Sequence, residues 1–110
     1  MRKIVININD KDYELMLNRN GIKWLEANGY VYEKSSTMPI TSYDLLWTVG
    51  FLANYPSMTS EEVLLLQDKY REEKGNPSEV TSFMVNEYLA FINALADTKS
   101  LKKKAKITEM

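Results

Sequence analysis

The sequence predicts an α+β domain, mainly α, in which an N-terminal β-hairpin packs on a small bundle of about four helices. Three observations carry this. Apolar residues alternate with period two within the first 17 residues, and beyond residue 20 they recur at helical spacing. Gly, Pro and capping residues then divide the helical part into segments of ordinary helix length. With 110 residues, 45% of them hydrophobic, the chain suits one core rather than two.

The hairpin is read over residues 3–17. "KIVINI" sets Ile4, Ile6 and Ile8 on one face, and Tyr13, Leu15 and Leu17 repeat the pattern after the turn formers "NDKD". Two strands alone are marginal in water, so the Ile face is expected to lie on helices. A short helix follows over 21–28, closed by Gly29. Residues 30–39 lack a helical period and carry a Ser/Thr cluster and Pro39, which reads as a loop with Tyr30, Val31 and Tyr32 extended along the core.

The next helix is placed over 42–54, with Thr41 or Ser42 as N-cap and Pro56 as the stop. At about 100° per residue, Leu45, Leu46, Val49, Leu52 and Ala53 fill one arc while Tyr43, Trp47, Phe51 and Tyr55 fill another. A helix apolar on nearly all sides is buried on nearly all sides, by its own domain or by another chain. Gly50 admits a close neighbour.

Thr59 and Glu62 have capping-box spacing and open a helix over 60–74, which Gly75 is expected to end. Val63, Leu66 and Tyr70 make its inward stripe; Leu64 and Leu65 fall off it. Asn76 as cap and Pro77 at the first position open the last helix, over 78–97, with Phe83 pointing away from its apolar half. Residues 1–97 are thus read as one globular domain. Residues 98–110 are read as a flexible basic tail containing Lys102, Lys103, Lys104 and Lys106.

The chain has neither Cys nor His. The usual neutral-pH base and the usual transition-metal ligands are therefore missing, and the reading is of a non-enzyme with no catalytic, metal or cofactor residue. No apolar run approaches the ~20 residues of a membrane span, and the N-terminus turns polar too early for a signal peptide, so the expected location is the cytoplasm. A net charge of −1 argues against nucleic acid as the main partner. The lysine tail alone would give only a weak, salt-dependent contact.

Tyr43, Trp47, Phe51, Tyr55, Leu64, Leu65 and Phe83 remain as the candidate partner-binding residues. Their bland reading is core. The alternative is an association surface, because aromatic residues are enriched where chains meet.

The order of elements resembles a known group. "KIVININDKDYELML", "GIKWLEANGY", "LLWTVGFLANYPSMTSEEVLLLQDKY", "NEYLAFINALAD" and the Lys-rich end look like the tail assembly chaperones of long-tailed bacteriophages and prophages. The resemblance implies a small, mainly helical, non-catalytic protein of the bacterial cytoplasm. It implies binding and shielding of the tape measure protein until tail tube protein polymerises around it, self-association, and in many members a longer form made by frameshifting near the lysine run. Two other classes stay open: a small nucleic-acid-binding regulator, and a phage structural adaptor.

Overall fold

The computed structural model describes residues 2–96. Strands β1 (Lys3–Ile8) and β2 (Lys11–Met16) pair antiparallel, with Ile8 opposite Lys11 and Lys3 opposite Met16. Asn9 and Asp10 between them have φ of 54° and 63°. A two-residue hairpin loop of the I′ kind needs both in the left-handed region, and Asn and Asp tolerate it best after Gly. Ile6, Ile8, Tyr13 and Leu15 share the buried face, as the alternation requires.

Helix α1 (Arg19–Ala27) is capped by Asn18, whose side-chain oxygen accepts from the Gly21 N–H at 2.8 Å. It ends in Gly29 at φ 85°. There the Tyr30 N–H donates to the Leu25 carbonyl at 2.9 Å, and both side chains are buried. This Schellman closure turns Tyr30 into the core, where it meets Tyr88 edge-on at 5.3 Å. Val31 and Tyr32 stay exposed, so only the first of these three residues lies along the core.

The segment read as a loop contains a 3-10 turn at Tyr32–Lys34, and helix α2 (Pro39–Leu52) starts three residues before the expected start at residue 42. The physical reason is Pro39 itself. Its fixed φ and missing N–H suit the first helical position, so it begins the helix rather than ending the loop. Thr41 and Ser42 are therefore inside the helix, and Met38 precedes it without a side-chain cap. At the other end Tyr55 lies past the helix, its N–H donating to the Phe51 carbonyl at 2.8 Å.

Helix α3 (Ser60–Glu72) has the complete capping box, Thr59 Oγ1 accepting from the Glu62 N–H at 3.2 Å and Glu62 Oε1 accepting from the Thr59 N–H at 3.2 Å. Its left-handed terminator is Lys74 at φ 72°, not Gly75. Asn76 caps helix α4 (Pro77–Ala96) through the Ser78 N–H at 3.1 Å.

Helix α2 is the hub of the domain, in contact with α1, α3, α4 and β2. That placement buries both of its arcs at once. Leu46 and Val49 on one, and Trp47 and Phe51 on the other, are all 4% exposed or less. The missing side chain of Gly50 lets Met84 of α4 approach, its Cε lying 3.1 Å from where a Cβ would stand. Among the described residues no helix is long and apolar enough to cross a membrane.

Candidate partner-binding groove

The seven candidate residues separate into two groups. Trp47 and Phe51 are fully buried, their rings 6.0 Å apart and nearly parallel, with Tyr13 edge-on to Phe51 at 5.6 Å. They are core, and as such leave the set of side chains a partner can touch on the folded chain. The correction follows from the central position of α2, which finds covers for both faces inside one small domain. Tyr55 is half-buried, and its hydroxyl accepts the Glu14 N–H of β2 at 3.1 Å. Phe83 is half-buried, with the Arg2 guanidinium over its ring at 5.5 Å. Arg2 is held there by Glu87, at 3.0 Å through Nε and 2.9 Å through Nη2.

Tyr43, Leu64 and Leu65 reach the surface to different degrees. Leu65 is 69% exposed on α3, Leu64 is half-buried, and Tyr43 is half-buried against the core. The structure does not bring Leu65 or Phe83 together with Tyr43 as one lining. Lys102, Lys103, Lys104 and Lys106 lie outside the described residues.

Tyr43 does line a groove. With Pro39, Ile40 and Asp44 of α2 and Gln67 and Arg71 of α3 it encloses about 310 Å³ between the first turns of α2 and the last turns of α3. Gln67 and Arg71 are one helical turn apart, and Arg71 Nη2 donates to Gln67 Oε1 at 3.0 Å. This leaves the buried Gln67 Nε2 without an acceptor among the described residues. Asp44 has its carboxyl pushed up, first by burial and then by the negative charge of Asp68. Ile40 gives the groove an apolar, 74% exposed rim.

A groove so composed suits a protein chain better than a small polar ligand. Apolar side chains can lie on Ile40, Tyr43 and Pro39, while main-chain or amide groups meet Asp44, Gln67 and Arg71. A second cleft, about 450 Å³, opens between α1 and the end of α2, lined by Asn18, Gly21, Trp24, Leu52 and Pro56 among others. There the Asn18 oxygen is already spent on the helix cap. Ile40 is a groove residue that the sequence reading misses, because it starts α2 too late. The signal that reveals it is Pro39, taken as a first helical residue.

A family model described as a domain of unknown function, DUF5055, matches residues 1–109. No curated protein and no solved structure matches the chain.

Proposed function

Taking as premise that the chain belongs to the DUF5055 family, we propose that it is a non-catalytic chaperone of phage tail assembly, which binds and shields apolar helical segments of the tape measure protein in the bacterial cytoplasm. The observation that carries this reading is the exposed apolar side chain of Ile40 in the lining of the groove that holds Tyr43. A holdase offers apolar surface that its own fold leaves uncovered, and Ile40 does so in the lining of a groove. The motif resemblance along the chain supplies the identity of the client. The alternation of apolar floor and polar groups favours a polypeptide with an amphipathic face.

Co-expression with the tape measure protein of the same genome tests the reading. Co-purification, together with a client that stays soluble only when this chain is present, supports it. A client that remains insoluble, with nothing retained on the affinity resin, overturns it. Mass spectrometry of purified particles separates a chaperone, absent from mature tails, from a structural adaptor that stays in them.

A further inference from the structure

The two edges of the hairpin are treated differently. On the β2 side, the Glu14 N–H donates to Tyr55 Oη at 3.1 Å and the Glu14 carbonyl accepts from Asn54 Nδ2 at 3.0 Å. Glu14 therefore turns its backbone groups away from β1. In an antiparallel ladder the residue opposite does the same on the other side, and Val5 is opposite Glu14. By the alternation of the ladder, Lys3 and Asn7 also direct their N–H and C=O outward.

Among the described residues, no turn, loop or side-chain hydrogen bond reaches the outward backbone groups of Lys3, Val5 or Asn7. The open stretch has definite ends. The Asn9 N–H is taken by Glu73 at 2.9 Å, and the Arg2 N–H by Glu87 at 3.3 Å. Open edges are usually defended by a proline, a bulge or an outward charge. The register of β1 with β2 is unbroken, the strand has no proline, and its one charge, Lys3, is engaged with Glu14 at 2.8 Å.

We propose that β1 is the pairing edge of a homodimer, in which the strand lies antiparallel to its copy about a two-fold axis at Val5. The register is self-complementary. With Val5 against Val5 of the partner subunit, Lys3 meets Asn7 of the partner subunit, so outward groups face outward groups at all three positions. No like charges oppose each other, and the half-exposed Val5 side chain gains an apolar neighbour. One strand pair buries less than the ~1,000 Å² typical of a tight interface, so the dimer is weak and reversible. A hairpin extended to four strands also gains stability as a sheet. The inference is independent of the client proposed above.

Amide hydrogen exchange of the full chain by NMR, over a series of protein concentrations, tests it together with sedimentation velocity. Protection of the Lys3, Val5 and Asn7 amides that rises with concentration, in step with dimer, is the expected result. Val5→Pro should abolish the dimer, since it deletes one outward N–H and none of the hairpin's own bonds. Val5→Lys, which sets like charges opposite, should do the same, so the test does not depend on one variant folding. Amides whose exchange ignores concentration, or a dimer that survives both folded variants, overturn the proposal. Protection that appears only on adding a tape measure segment to a monomeric chain also overturns it, assigning the edge to client instead.

Discussion

The indole N–H of Trp47 donates to the Pro77 carbonyl at 3.2 Å inside the core, joining the middle of α2 to the first residue of α4. Complete burial of a tryptophan requires such a partner, because an unpaired indole N–H is costly away from water. The same ring lies 5.9 Å from Tyr70 of α3 and 6.0 Å from Phe51. One side chain thus ties three helices together.

Trp47→Ala should lower stability by about 3–5 kcal/mol, through lost contacts and the cavity left behind. Urea unfolding followed by far-UV circular dichroism measures this. A loss under about 1 kcal/mol would mean that Trp47 is not core. Any loss of partner binding by this variant would report unfolding rather than contact.

The end of α3 makes a prediction of opposite signs at adjacent positions. Lys74 occupies the left-handed conformation, which costs a side-chain-bearing residue about 1 kcal/mol, so Lys74→Gly should stabilise by about that amount. Gly75 follows, and a Cβ there would fall within 2.6 Å of three Tyr70 ring atoms. Gly75→Ala should therefore destabilise by about 1–3 kcal/mol. Thermal unfolding of both variants checks the pair; two shifts of the same sign would contradict the geometry.

These residues also show how far the sequence is legible. The hairpin and the Thr59–Glu62 box are local or nearest-neighbour effects, and they stand in the structure as read; the close approach at Gly50 stands too, although the neighbour, Met84 of α4, is not named by any local pattern. Gly75 is required at the end of α3, but by the Tyr70 ring that lies against it rather than by its own backbone angle. The burial of Trp47 and Phe51 was not legible, because an all-apolar helix tells how much cover it needs and not which chain supplies it. The groove depends on where α2 and α3 cross, which no local pattern states. Pro39 is the exception, a local signal for the first turn of α2, and so for Ile40 in the groove, that also suits the end of a loop.

Stability should fall above pH 10. Burial raises the phenol of Tyr30 above its ordinary 10.0, and burial followed by nearby carboxylates does the same for Tyr70 and Tyr88. The unfolded chain then loses its phenolic protons first, so the native state holds more protons, and stability decreases as pH rises through and beyond 10. The Tyr30 hydroxyl is buried beside the Ser35 hydroxyl, which partly offsets the upward push, but neither oxygen makes a hydrogen bond of good geometry among the described residues. Tyr30→Phe should accordingly leave neutral-pH stability unchanged or slightly higher and make the alkaline loss shallower. Urea midpoints at pH 8 and pH 10.5 for both proteins measure this; an identical alkaline slope would exclude Tyr30 as a contributor.

Ile40→Asp should remove client binding without loss of fold. Ile40 is 74% exposed at the second position of α2, so its side chain contributes little to the core. A carboxylate in the first turn is favoured by the helix dipole, and the melting temperature should hold or rise slightly. At the groove mouth the same carboxylate replaces an apolar contact with a charge that must be desolvated, beside an Asp44 whose own charge is already disfavoured there. Pull-down of the tape measure protein by wild type and variant, with melting curves run in parallel, makes the measurement. Unimpaired capture by a folded Ile40→Asp would place the client elsewhere, with the cleft beside Trp24 as the next surface to mutate.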